Sequence, residues 1–245
     1  MQEGIIGVLG GMGPEATADL FRKIVKNTEA MRDQDHLRVL IDSNPKIPER
    51  TAAIVGSGES PLPMMIDTAR NLERAGADFI VIPCVTVHYF IEGLREGIAV
   101  PVVSIIEEVT GEIDRRLPAV RQVGLMATTG TIRAGLFQDR LREKGVEVLV
   151  PPPGDQENLV MSAIHGESGI KAGFISLENK GKILKASGAL IERGAQGIIG
   201  GCTEVPLVIQ QSDMEVPFFD SLNILALAAI ALATGEIHRN TKERG

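Results

Sequence analysis

Tryptophan is absent from the 245 residues, tyrosine occurs once, and aromatic residues make up only 3%. No platform for stacking bases is available, so the core must be built from Ile, Leu, Val and Ala, which suits buried parallel strands covered by helices. Excess positive charge is lacking too. Lys and Arg number 25 against 32 Asp and Glu, giving a net charge of -7 with no basic stripe. That balance excludes the clustered cations a nucleic-acid partner requires. Cysteine is sparse, with two in the chain, too few for a disulfide framework. Two Cys and four His, with no close-spaced cysteine pair, make no recognisable zinc set. The longest apolar run, Leu222 to Ala233, is interrupted by Asn223 and too short to cross a bilayer, so it reads as a buried helix and no membrane partner is expected. The opening Met1-Gln2-Glu3-Gly4 is not a positively charged leader, so the expected compartment is the cytoplasm, with both thiols reduced.

What is present is a pattern written twice. Gly4 to Leu9 reads as a strand that ends in Gly10-Gly11-Met12-Gly13-Pro14 and opens a helix, with Pro14 suited to the first helical position. Gln122 to Met126 reads the same way, turning at Ala127-Thr128-Thr129-Gly130-Thr131; Gly7 matches Gly124 and Gly13 matches Gly130 at one offset. A second pair is sharper: Glu73 to Thr86 against Ile191 to Glu204, each a helix ending at a glycine, a short apolar strand, and then a cysteine. Gly76 and Gly194 are the C-cap candidates. The third pair sets Val100-Pro101-Val102-Val103-Ser104 against Val216-Pro217-Phe218-Phe219-Asp220. Three ordered matches at nearly constant spacing point to duplication.

Strands alternate with helices, predicted over 66–74, 132–144, 182–193 and 221–233. The expected fold class is therefore α/β, with two similar doubly wound parallel-sheet domains and a site in the cleft between them. The third repeat pair places the first domain at 1–103 plus 216–245 and the second at 104–215, each Val-Pro strand being followed by a helix that crosses to the other half. The Pro- and Gly-rich stretch 45–63 reads as a functional loop.

In such sheets ligands bind beyond the carboxyl ends of the strands, where Cys84 and Cys202 both fall. Each precedes a predicted helix whose dipole favours a thiolate. A single cysteine is ordinarily a small buried hydrophobe. Two at equivalent strand ends of a duplicated chain face each other across a pseudo-twofold axis. That is what stereoinversion at a carbon needs: one thiolate removes a proton from one face and the other thiol delivers one to the opposite face.

Four blocks, Gly10-Gly11-Met12-Gly13-Pro14-Glu15-Ala16-Thr17, Ile47-Pro48-Glu49-Arg50-Thr51, Pro83-Cys84-Val85-Thr86-Val87-His88 and Gly201-Cys202-Thr203-Glu204, together resemble the aspartate/glutamate racemase family over nearly the whole chain. The resemblance implies two domains about a pseudo-twofold axis, Cys84 and Cys202 as the acid/base thiols, no cofactor such as pyridoxal phosphate, a small-molecule amino-acid substrate and a homodimer. It implies that Arg50, and Lys171 in Ile170-Lys171-Ala172-Gly173, clamp a substrate side-chain carboxylate. It also places Met12, Thr86, Thr128, Thr129 and Thr203 with the substrate-contacting residues, the threonines offering hydroxyl and N–H groups or, in the plainer reading, capping helices. The family's Asn after the first cysteine is Val85 here, which offers only backbone and an apolar surface and so bears on the choice of amino acid. His88 and Glu204 stand where a side chain can tune a thiol or relay its proton; the plainer reading is a His packed on its helix and a Glu complementing a dipole.

Gly11-Met12-Gly13-Pro14-Glu15-Ala16 also fits the dinucleotide fingerprint, but Asp42 lies farther along than the ribose-binding acid should, and Pro14 and the Thr-rich second copy argue against a pyrophosphate site. Racemisation of an acidic amino acid is the leading reading. Alternatives are a hydantoin racemase, a cis–trans isomerase of an unsaturated diacid, or a ligand-binding protein without turnover.

Overall fold

The computed structural model describes residues 3–236. The first half carries β1 (Ile6–Gly10), β2 (Val39–Ser43), β3 (Phe79–Val81) and β4 (Val102–Val103); the second carries β5 (Gln122–Met126), β6 (Glu147–Leu149), β7 (Ile198–Gly200) and β8 (Phe218–Asp220). Each set forms one parallel sheet, in the order β2-β1-β3-β4 and β6-β5-β7-β8. The same permutation in both halves bears out the expected α/β class with two similar doubly wound sheets. The inner strands β1, β3 and β7 are buried along their whole length, which is why they read as unbroken apolar runs rather than as alternation.

The helices are α1 (Pro14–Asn27), α2 (Arg50–Ile54), α3 (Leu62–Arg74), α4 (Ile91–Gly97), α5 (Ile105–Arg116), α6 (Thr129–Arg133), α7 (Leu136–Arg142), the single turn α8 (Pro153–Asp155), α9 (Ser162–His165), α10 (Leu177–Glu192) and α11 (Ser221–Ala233). A π-helical segment, Gln156–Met161, links α8 to α9. Helices α3 and α10 end as the repeat implies, with Gly76 and Gly194 just past the cap at φ 94 and 102, a left-handed turn that a side chain would strain. The helix expected over 132–144 is instead two, α6 and α7, because Gly135 takes a left-handed conformation between them. The loop 45–63 holds the short α2, capped by the Glu49 carboxylate on Ala52 N at 2.6 Å.

One apolar cluster runs between the sheets and contains residues of both, including Ile6, Val81, Val109, Leu125, Phe219 and Leu225. Two further clusters lie outside it, one per half. The central cluster is built by α5 and α11, which follow the edge strands β4 and β8. Helix α5 packs on α7 and α11, and α11 packs on α1. Their caps are the paired ends of the third repeat: Ser104 accepts from Glu107 N, and Asp220 from Leu222 N and Asn223 N. The expected domain boundary at 216 needs correction. Residues 218–220 pair with β7 (Ile198 with Phe218, Ile199 with Phe219), so the backbone ladder keeps them in the second sheet and the chain changes halves at Ser221. Residues 237–245 of the expected C-terminal segment lie outside the described residues. Among the described residues no helix is long and apolar enough to cross a membrane.

Candidate active site

Cys84 follows β3 through Ile82-Pro83, and Cys202 follows β7 through Gly201. Both are free thiols, each only 5% exposed. They line one cavity with Arg50, Val85, Thr86, Thr128, Lys171, Thr203 and Glu204. Its volume is about 10 Å³, room for roughly one water molecule in this closed form. A larger surface depression, about 810 Å³, lies by α1, α5 and α11 and is lined by groups such as Glu108, Glu112 and Leu227; neither cysteine reaches it.

Neither thiol sits on the end of a long helix. Each is followed by a 3-10 turn, Thr86–Phe90 and Val205–Leu207, so the expected dipole assistance is not what sets their chemistry. The environment of Cys202 works in the other direction. Burial pushes its thiol up, and the Glu204 charge pushes it further, against the opposing Lys171 charge. The thiol donates to Glu204 Oε2 at 2.9 Å. Burial alone would raise the Glu204 carboxyl, but Lys171 and the thiol outweigh it and hold the group below the ordinary range. Lys171 Nζ meets Glu204 Oε1 at 2.5 Å in a pair whose carboxylate is 2% exposed. Burial works against the Lys171 ammonium, and Glu204 more than restores it.

Gly13 closes this group from the first half. A Cβ there would come 3.2 Å from Glu204 Oε1 and 3.6 Å from Lys171 Nζ. Gly13, the N-cap of α1, therefore leaves little room for a side chain beside this group.

Among the described residues Arg50 has no carboxylate partner. Its Nη atoms donate to the carbonyls of Ile47 (3.5 Å), Pro48 (3.2 Å) and Met12 (3.3 Å), and its buried Nε has no hydrogen-bond partner. Lys171 Nζ reaches the same Met12 carbonyl at 3.2 Å. The two cations thus converge on one oxygen, the part Met12 takes here, while its side chain is buried in the first-half core.

The threonines lock the halves together. Thr86 Oγ1 lies 3.0 Å from Thr128 Oγ1 and 2.9 Å from Thr131 Oγ1, and the last two are 3.2 Å apart. Thr203 Oγ1 sits 3.1 Å from the Pro83 carbonyl and 3.3 Å from Glu204 Oε2. Thr129 is outside the cavity lining; its hydroxyl bonds Gln156 of the π-helical segment.

His88 turns away from the cavity. Its Nδ1 lies 2.9 Å from the Cys84 carbonyl and its Nε2 accepts from Ile105 N at 3.2 Å, so it braces the Cys84 loop on α5 rather than touching a thiol. Burial is the main force that lowers its imidazole to about 4, leaving it neutral, with the ring proton assigned to Nδ1 by its carbonyl partner.

Glu49, Thr51 and His165 also line the cavity, and sequence reasoning did not single them out as site residues. Glu49 and Thr51 flank Arg50 in its Pro-Glu-Arg-Thr block, a signal available in advance; His165, at the end of α9, has none. Among the described residues no cluster of three or more His, Cys, Asp or Glu side chains gathers to ligate a metal.

Two sheets of one topology, each delivering a free cysteine to a shared closed cavity, define a duplicated α/β protein with paired thiols. The family model for Asp/Glu/Hydantoin racemase matches residues 9–229, and the chain belongs to that family. It is similar to the broad specificity amino-acid racemase RacX of Bacillus subtilis, 28% identical over 232 residues that cover 93% of this chain and 97% of the relative. Among solved structures, the Picrophilus torridus aspartate racemase is 27% identical, covers 94% of both chains and superposes with a TM-score of 0.82. An aspartate racemase homologue from Pyrococcus horikoshii is 32% identical over 96% of this chain and 100% of its own, with a TM-score of 0.73. The resemblance carried by the four sequence blocks is borne out, and the protein is an enzyme of the amino-acid racemase type, an isomerase.

Proposed function

We propose that this enzyme racemises an acidic amino acid, aspartate first and glutamate second, by a cofactor-independent two-thiol mechanism. The observation that carries the reading is the single cavity lined by Cys84 and Cys202 from equivalent strand ends, with Arg50 and Lys171 converging beside them. One sulfur, as thiolate, takes the proton from Cα. The planar carbanion takes a proton from the other sulfur on the opposite face, and the roles exchange in the reverse direction. The scheme balances with no further reactant. A side-chain carboxylate replacing the Met12 carbonyl gives Arg50 the planar bidentate partner it lacks.

A broader substrate range is a second reading. Val85, 2% exposed, gives the cavity an apolar wall, and the similar Bacillus subtilis protein is a broad specificity racemase.

The test is incubation with single enantiomers of a panel of amino acids in D₂O. The parent is expected to invert configuration with incorporation of deuterium at Cα. Cys84→Ala and Cys202→Ala are each expected to lose inversion while retaining slow exchange of opposite enantiomers with configuration kept. Interconversion at the parent rate by either variant overturns the two-thiol mechanism, and a preference for neutral amino acids overturns the acidic substrate.

A further inference from the structure

We propose that Glu204, held by Lys171, is a positioning residue that keeps the proton on Cys202, so that the resting enzyme is set for the direction in which Cys202 is the acid and Cys84 the base. The inference rests on the two-thiol reading and assigns its two roles.

Duplication makes the two thiols equivalent in the sequence, and the structure shows where that equivalence ends. Two residues after Cys202 stands Glu204; two residues after Cys84 stands Thr86. The Thr86 hydroxyl is engaged with Thr128 and Thr131. The Glu204 carboxylate lies 2.9 Å from the Cys202 sulfur. An ionised carboxylate only accepts hydrogen bonds, so a sulfur at that distance must donate. Lys171 on the other oxygen keeps Glu204 ionised. Removing the Cys202 proton sets two anions side by side in a buried site, a cost that Lys171 offsets only in part.

The remaining charged and titratable groups around this thiol do not cancel the bias. Arg50 bonds to three backbone carbonyls, and Glu49 caps α2. Cys84 faces it from the other half, and His165 stands on the cavity wall with its own imidazole lowered by burial and then by Lys171. His88 serves the Cys84 carbonyl and α5 and gives Cys84 no counterpart to Glu204.

The proton balance follows. The Cys84 thiolate takes the Cα proton, and the Cα lone pair takes the proton of Cys202. The Cys202 thiolate left beside Glu204 recovers a proton, and Cys84 gives up the one it took, before the next cycle of the same direction.

Cys84→Ser leaves Cys202 as the single thiol in the chain, so the ultraviolet absorbance of its thiolate titrates it alone once the phenolate band of Tyr89 is subtracted. The expected midpoint lies above the roughly 8.5 of a free cysteine. Adding Glu204→Gln, which keeps the shape and removes the charge, is expected to lower that midpoint by about one unit, a tenfold rise in thiolate at a given pH. A midpoint at or below that of free cysteine in Cys84→Ser overturns the proposal without any need for the Glu204 variant to fold. A midpoint that Glu204→Gln leaves in place or raises overturns it as well. Neither readout depends on turnover, so failure here is distinct from failure of the racemisation assay.

Discussion

Arg50→Ala removes the guanidinium that carries the acidic-substrate reading. In the closed structure its bonds are long, 3.2 to 3.5 Å, and all go to backbone carbonyls. Met12, one of those acceptors, keeps Lys171 as a donor. The loss of stability is therefore expected to be about 1 kcal/mol, a fall in melting temperature of roughly 2–4 °C for a chain of this size. The loss of activity is expected to be far larger. Each charge-assisted bond to a buried carboxylate contributes about 1.5–3 kcal/mol, so losing a bidentate pair lowers kcat/KM by roughly two to four powers of ten. Loss of optical rotation from each aspartate enantiomer measures the rate, and a thermal melt on the same sample measures the fold. A folded Arg50→Ala protein with kcat/KM for aspartate within a few-fold of the parent refutes the clamp. So does a loss of activity that appears equally with alanine as substrate, since alanine has no side-chain carboxylate for Arg50 to hold.

Two other perturbations test the surroundings of the thiols. The backbone at Gly13 is extended, φ -110 and ψ 170, so Gly13→Ala brings no conformational strain, only a methyl 3.2 Å from Glu204 Oε1; a lowered kcat with a nearly unchanged melt is expected, and full activity argues against a tightly placed Glu204. His88, lowered to about 4 against roughly 6.5 in the unfolded chain, binds its proton less readily when folded. The unfolded state therefore takes up a proton first as pH falls through that window, and the contribution present above about 6.5 is lost by about 4, roughly 3 kcal/mol in all. Denaturant melts of the parent and His88→Gln across that range are expected to converge as pH drops; a gap that stays constant with pH refutes the buried neutral imidazole.

The cysteines were legible because period and position identify a strand end: a glycine-closed helix, a short apolar run, then a thiol, twice. Arg50 was legible from its Pro-Glu-Arg-Thr block. What surrounds them was less so. Lys171 reads as one arm of a carboxylate clamp, yet it also neutralises Glu204, 33 positions away, and reaches the Met12 carbonyl, 159 positions away. His88 lies one turn beyond Cys84 and reads as a partner for its sulfur, but the α5 terminus, 17 residues on, draws the imidazole to the backbone side. His165 carries no local signal because the cavity wall it joins is assembled from both halves.

By itself, the sequence determined the two parallel sheets and the placement of one thiol at a strand end in each, because these follow from local periodicity, capping and repetition; the strand order came from the structure. Only the tertiary structure decided that β8 stays in the second sheet, that the Thr86, Thr128 and Thr131 hydroxyls join the halves, and that the two thiols are unequal. The first depends on backbone pairing between distant segments, the second on which side chains meet across the cleft, and the third on contacts assembled within the second half. Glu204 stands two residues from Cys202 and so was a candidate from the sequence, but that Lys171, 33 positions away, lands on its free oxygen is set by how the segments of the second half pack, and no local pattern in the chain encodes that meeting.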